Sequence, residues 1–180
     1  MKLLVFTVLL CSLSASSVTQ PSTQEQKGGK PNLSGTWVID RIKSNAEAVK
    51  RFGEHGITLI VTHHDPELRV TRKTGSSEER LNESVYYTDG RGERNGEGSG
   101  QATDSKSAWK GNKLQRKYYL NGPLYGPSGA TKNAMIEITD EWEISKDGQN
   151  LTLTTTLRSA PGYPALNVRP PDVKTVFTRS

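Results

Sequence analysis

Short segments in which apolar and polar residues alternate recur along this chain, and tight-turn sequences separate them. Alternation with a period of two, enriched in β-branched and aromatic residues, is typical of half-buried β-strands. Dipeptides such as Asp65-Pro66, Asp89-Gly90 and Asp147-Gly148 lie between the segments, where hairpins reverse. The pattern indicates an all-β protein and predicts nine strands: Gly35–Asp40, Ile57–His63, Leu68–Lys73, Ser84–Thr88, Ser105–Trp109, Lys113–Leu120, Met135–Ile144, Leu151–Arg158 and Val173–Thr178.

One helix is expected shortly after the first strand. Ser44 or Asn45 can cap it, Glu47 lies in its first turn and Gly53 can end it, which predicts a helix from Asn45 to Gly53. Eight or nine antiparallel strands with one early helix fit an up-and-down β-barrel, in which closure removes exposed strand edges. A two-sheet β-sandwich is the alternative that this pattern leaves open.

The N-terminal residues have the pattern of an export signal. Lys2 precedes an apolar run too short to span a bilayer, and Ala15 and Ser17 are small residues at a plausible cleavage site. The sequence therefore predicts a signal peptide over residues 1–17, a disordered linker over residues 18–31 and a single barrel domain over residues 32–180. A secreted or periplasmic location follows, without stable membrane insertion after the signal is removed.

Composition limits the partners that we expect. Hydrophobic residues make up 32% of the chain and charged residues 24%, which fits a modest or hollow core. The formal net charge is +5, but basic and acidic residues are interleaved along most of the chain. This distribution favours solubility and mild attraction to anionic surfaces, and it argues against nucleic acid as a partner. The oligomeric state is not predicted.

The opening of the predicted domain resembles a known family. The segment Asn32-Leu-Ser-Gly-Thr-Trp37, followed by Asp40-Arg-Ile-Lys-Ser44, is similar to the start of secreted lipocalin-like (calycin-type) proteins, and the overall pattern is closest to a loose group of bacterial secreted or periplasmic members. The resemblance implies a lipocalin-like barrel in which Gly35 and Trp37 plug the closed end. It also implies that a basic residue of the last strand, here Arg179, packs against Trp37.

Several polar residues fall on predicted apolar faces. Alternation places Asp140 with Ile138 and Trp142, and it places Arg116 and Tyr118 on the apolar face of the preceding strand. A buried carboxylate and guanidinium are tolerable as a pair or in a wet cavity, so one interpretation is that they line a cavity. The other is that a bulge turns Asp140 outward. By the same rule His63 and Arg72 also face inward, each at a strand end.

No motif of an enzyme is present, and we predict no catalytic residue, metal site or cofactor. The best metal candidate is His63-His64-Asp65 with Glu67, but adjacent strand residues point to opposite faces, and such a turn is more often a solvated surface feature. An enzyme acting on a bound ligand would need convergent titratable groups, for which Asp140 and His63 are the available candidates. Catalysis is thus less expected than binding.

The interior polar residues favour a binding function. We expect a small-molecule binding or carrier barrel for a hydrophobic or amphipathic ligand, with an anionic group held by Arg116 or Arg72, and with Asp140, Tyr118 and His63 as further cavity candidates. The alternative is a non-enzymatic module of the cell envelope that presents long loops to a protein or glycan. Those loops are Gly90–Gly100, Asn121–Gly129 and Ala160–Pro171, and exposed aromatic residues at Tyr125 and Tyr163 would favour this alternative.

Overall fold

A computed structural model describes residues 29–52, 56–75, 82–96, 103–125, 131–163 and 170–180, with the side chains of residue 82, residues 122–125 and residues 131–134 left undescribed. The predicted signal peptide and most of the predicted linker lie outside these residues. Leu33 is fully buried, so the folded part includes the residues just before the first strand.

The described residues form ten strands and one helix. In chain order these are β1 (Gly35–Asp40), α1 (Ala46–Phe52), β2 (Ile57–His64), β3 (Glu67–Thr74), β4 (Asn82–Tyr87), β5 (Glu93–Asn95), β6 (Thr103–Lys110), β7 (Lys113–Tyr125), β8 (Thr131–Ile144), β9 (Asn150–Ser159) and β10 (Val173–Arg179).

The strands belong to one antiparallel sheet. Its order is β4-β3-β2-β1-β10-β9-β8-β7-β6-β5, so the first and last strands pair in the middle of the sheet. The sheet curls into a nearly closed up-and-down barrel, which confirms the predicted fold and excludes the two-sheet sandwich. No helix in the described part of the chain is both long enough and apolar enough to cross a membrane.

Side chains rather than a backbone ladder join the two ends of the sheet. Asn95 on β5 accepts a hydrogen bond from the backbone nitrogen of Val85 on β4 (2.7 Å) and donates one to the carbonyl of the same residue (2.8 Å). The backbone nitrogen of Tyr87 donates to Oε2 of Glu93 (3.2 Å). We call this junction of β4 and β5 the seam. It satisfies backbone groups that an open edge would leave unpaired.

Two local elements differ from the sequence prediction, and one matches it. The strand β5 was not predicted, because Glu93-Arg94-Asn95 is wholly polar and lies in a glycine-rich segment. The hairpin of β7 and β8 extends into the predicted loop Asn121–Gly129, with Tyr125 paired to Thr131. The short helix after the first strand is confirmed, and Asn45 caps it by accepting from the backbone nitrogen of Ala48 (3.0 Å).

One end of the barrel is closed by a tryptophan and an arginine. Trp37 is fully buried and donates from Nε1 to the carbonyl of Leu33 (3.0 Å). The guanidinium of Arg179 lies 4.4 Å from the centre of the Trp37 ring and donates to the carbonyls of Ser34 (3.1 Å) and Gly148 (3.0 Å). A Cβ on Gly35 would lie 2.8 Å from Nη1 of Arg179, and its φ of 148° also favours glycine.

Candidate ligand site inside the barrel

Polar side chains line one wall of the barrel interior at directly paired positions. Ser107 on β6 pairs with Arg116 on β7, Arg116 pairs with Asp140 on β8, and Asp140 pairs with Thr155 on β9. We call these four residues the polar belt. Ser107, Asp140 and Thr155 are each less than 10% exposed. The opposite wall is apolar, with the buried residues Leu59, Val61 and Val70 on β2 and β3.

Asp140 is buried and has two partners. Its Oδ2 lies 3.4 Å from Nη1 of Arg116, and its Oδ1 accepts a hydrogen bond from the hydroxyl of Thr155 (2.6 Å). The pairing of β8 with β9 continues unbroken past this position, so no bulge turns the carboxylate outward. Burial raises the pKa of Asp140, and the hydrogen bond from Thr155 and the charge of Arg116 oppose that rise.

Arg116 lies between two tyrosine rings. Its guanidinium carbon is 4.2 Å from the centre of the Tyr118 ring and 4.9 Å from that of Tyr86, and its Nε donates to the hydroxyl of Ser105 (3.1 Å). No described residue accepts a hydrogen bond from Nη2 of Arg116 or from the hydroxyl of either tyrosine. Burial, with a further contribution from the charge of Asp140, raises the pKa of Tyr118 to about 12, so its hydroxyl is a donor at neutral pH.

Two further arginines act on the same carboxylate. Arg72 follows Leu68 and Val70 on the inward face of β3, and Arg51 lies in the last turn of α1. The charges of both arginines lower the pKa of Asp140 in part, although both side chains are exposed. The described charges that act on Asp140 are therefore those of three arginines, Arg116, Arg72 and Arg51.

The structure brings Arg116, Asp140, Tyr118 and Arg72 together but places His63 elsewhere. The imidazole of His63 lies towards the closed end, where Nδ1 accepts from the backbone nitrogen of Leu33 (3.3 Å) and the ring lies 5.9 Å from that of Trp109. Its Nε2 is buried, 3.7 Å from Oδ1 of Asp65, and has no hydrogen-bond partner among the described residues. Burial lowers the pKa of His63, and the charge of Asp65 opposes that shift.

The turn that contains the candidate metal residues has a structural role instead. Oδ1 of Asp65 accepts hydrogen bonds from the hydroxyl of Thr88 and from Nε1 of Trp109 (3.3 Å), which ties the turn between β2 and β3 to the residue after β4 and to the end of β6. Within the described ranges, no group of three histidine, cysteine, aspartate or glutamate side chains is placed to hold a metal ion.

Several residues of the site were not identified from the sequence. Glu93, Ser105 and Ser107 form a connected group, because Oε1 of Glu93 accepts from the hydroxyls of Ser105 (2.7 Å) and Ser107 (2.9 Å). Alternation in β6 places both serines on one face, but serine is as common on an outer face as on an inner one. Tyr86 and Arg51 were likewise missed.

Comparison with known proteins identifies the fold but not a family. No protein-family model matches the sequence, and no curated protein sequence matches it significantly. The solved structures that share its architecture include the REP1-NXSQ fatty acid transporter, with a TM-score of 0.50 and 11% identity over 82% of this chain and 96% of that one. A zebrafish ileal bile acid-binding protein complexed with cholic acid has a TM-score of 0.51 and 12% identity over 82% and 98%. The fold is that of a calycin-type β-barrel.

The polar belt and the apolar wall opposite it indicate which chemical groups the interior could hold. Arg116 offers an unused guanidinium nitrogen, Nη2, between two phenolic donors, and the buried residues across the interior are apolar. An arginine fork and neutral phenols donate hydrogen bonds, so the group that they would hold is one rich in acceptor oxygens.

Proposed function

We propose that this chain binds or carries a small amphipathic molecule inside its barrel, with an acidic end group held by Arg116. The observation that carries the proposal is the largely buried side chain of Arg116, whose Nη2 has no acceptor among the described residues although Nη1 and Nε are engaged. Nη2 is not one of the described side-chain atoms that are buried without a partner, so it is accessible to an acceptor that enters the barrel. A ligand oxygen there would accept a charge-assisted hydrogen bond.

The ligand class is supported by the two walls and by the fold. The apolar residues of β2 and β3 face the polar belt, so a molecule with a hydrocarbon body and a polar end matches both walls. The two fold neighbours are a fatty acid transporter and a bile acid-binding protein, which supports a hydrophobic small molecule. Ligand sites of this kind are concave and mostly apolar with a few placed polar groups.

A fluorescent fatty acid, anthroyloxy-stearate, and its uncharged methyl ester test this proposal. We expect the double variant Arg116→Gln/Asp140→Asn to weaken binding of the acid by about tenfold to a hundredfold, the value of a hydrogen bond to a charged group. Binding of the ester should change little. The paired substitution avoids leaving a buried carboxylate without its partner.

Arg69→Gln is the matched control. Arg69 lies on β3, as Arg72 does, but its side chain is half exposed and bonds to Glu67 and Glu83. It should bind acid and ester like the native protein. Absence of binding to either probe by the native protein, or equal losses of acid and ester in the double variant, would contradict the proposal.

We also propose that the protein is exported, with cleavage before Val18 and a linker up to residue 31. The apolar run that follows Lys2 and the small residues at 15 and 17 support this proposal. The intact mass of protein recovered from the periplasm or the medium of an expressing culture tests it. A mass that includes residues 1–17 would exclude cleavage at this site.

A further inference from the structure

A carboxylate at the seam is connected to the proposed ligand site through a serine hydroxyl. Oε1 of Glu93 accepts from Ser105, and the oxygen of Ser105 accepts from Nε of Arg116. A serine hydroxyl has one proton and two lone pairs. Because the proton of Ser105 is given to Glu93, its oxygen can only accept on the side of Arg116. Arg116 can only donate and the carboxylate can only accept, so the hydroxyl of Ser105 links the two in one direction.

The same carboxylate takes part in closing the barrel. Its Oε2 accepts from the backbone nitrogen of Tyr87 on β4, while its Oε1 also holds Ser107, the member of the polar belt that is paired with Arg116. Ser107 is 1% exposed. The side chain of Glu93 thus bonds both across the seam to β4 and to the two serines on β6 next to Arg116.

We infer that Glu93 is the positioning residue of the ligand site: through Ser105 it fixes Nε of Arg116 and so holds the guanidinium with Nη2, which no described residue engages, available to a ligand. This inference rests on the proposed function for its effect on binding. Its effect on Arg116 itself does not depend on any ligand. Since Glu93 also bonds across the seam, closure of the barrel and orientation of Arg116 are coupled.

The Nε–H group of Arg116 gives a test that needs no ligand. In the native protein its proton is hydrogen-bonded and part-buried, so we expect a distinct nitrogen-15-correlated NMR signal with slow exchange. The signal should be lost or exchange at least tenfold faster in Glu93→Ala and in Ser105→Ala. It should persist in Ser107→Ala and in Asn95→Ala, which loses a separate side-chain link of the seam. Persistence of the signal in Glu93→Ala would overturn the inference.

Binding of anthroyloxy-stearate and its methyl ester gives the second test. Glu93→Ala and Ser105→Ala should each weaken binding of the acid by about tenfold. The double variant should bind the acid no more weakly than either single variant, because both substitutions break the same connection to Arg116. Glu93→Gln retains an amide oxygen that can accept from Ser105, so it should restore most of the affinity of the native protein.

The outcomes separate this inference from the proposed function. Equal losses of acid and ester in Glu93→Ala would mean that Glu93 only maintains the fold, which overturns the inference. Loss of the Nε–H signal in a protein that binds neither probe would refute the proposed function and leave the positioning of Arg116 by Glu93 established.

Discussion

Two arginines of this barrel lie over aromatic rings, and their surroundings differ in almost every other respect. Arg179 covers Trp37 from outside the closed end and donates to backbone carbonyls. Arg116 lies inside, between Tyr86 and Tyr118, and is paired with a carboxylate. The first arrangement uses all of its contacts to hold the fold. The second retains unused donors, and a protein that needed only stability would gain more from apolar residues at those positions.

The largest expected effect lies at the closed end. Trp37→Ala should lower the free energy of unfolding by about 3–5 kcal/mol, because it removes a fully buried indole and leaves a cavity that the strands cannot fill. Urea denaturation measures this change. If the loss were no larger than that of Tyr118→Phe, which removes only a hydroxyl from the other region, the assignment of stability to the closed end would be wrong.

A smaller loss is expected when the inner arginine is removed alone. Arg116→Gln should cost about 3 kcal/mol, because Asp140 stays buried without its cationic partner. Replacing both partners, as in Arg116→Met/Asp140→Leu, should recover most of that loss. Urea denaturation of the two variants measures the difference, and a double variant less stable than the single one would show that the pair stabilises the fold.

The contributions of Asp140, inside the barrel, and of His63, at the closed end, to the free energy of unfolding should change with pH in opposite directions. Burial raises the pKa of Asp140, so the stabilising contribution of its protonated form is complete below the unfolded-state pKa of about 4 and is lost as pH rises through the folded-state value. Burial lowers the pKa of His63, so its contribution is complete above about pH 6.5 and is lost as pH falls below that value.

Two variants separate these slopes. Asp140→Asn should gain stability relative to the native protein as pH rises from 4 towards neutrality, whereas His63→Gln should gain relative to it as pH falls from neutrality towards 5. Thermal unfolding across this pH range, with the charges of Arg116, Arg72, Arg51 and Asp65 kept intact, measures both differences. If the stability of both variants relative to the native protein changed with pH in the same direction, the contrast between Asp140 and His63 would be wrong.

The smallest expected effect is that of the outer arginine. Arg179→Gln should lower the free energy of unfolding by about 1 kcal/mol, since the contact with the Trp37 ring is partly exposed to solvent. Affinity for anthroyloxy-stearate should stay within about twofold, because the substitution is at the opposite end from α1. A change of affinity as large as that of the Arg116 double variant would remove the distinction between the two arginines.

The sequence predicts which side chains face the interior better than it predicts how deep along the barrel axis each of them lies. Alternation identifies the inward face of each long strand, and on that basis Arg116, Asp140 and Tyr118 are correctly placed inside. Depth is set by strand register and by the tilt that follows from it, which a single strand does not encode. His63 was therefore grouped with residues that lie at another level.

Short or helical elements carried no usable signal for the site. The three polar residues of β5 have no apolar face: the strand pairs with β6 through its backbone, and side chains of Glu93 and Asn95 join it to β4. The charge of Arg51 acts on Asp140 because α1 packs on β10, where Ser44 bonds to Val176. Such contacts join residues that are distant in sequence, so a local sequence pattern does not predict them.

The position of the seam makes a circular permutation of this chain possible. The strands at the seam, β4 and β5, are consecutive in sequence, whereas the ladder between β1 and β10 joins the two ends of the domain. A circular permutant that links Ser180 to the residues before β1 and starts in the turn after β4 would keep every backbone ladder. Its sheet order would then equal its chain order. The most distant pairing would become a local hairpin, the contact order would fall, and folding should be faster.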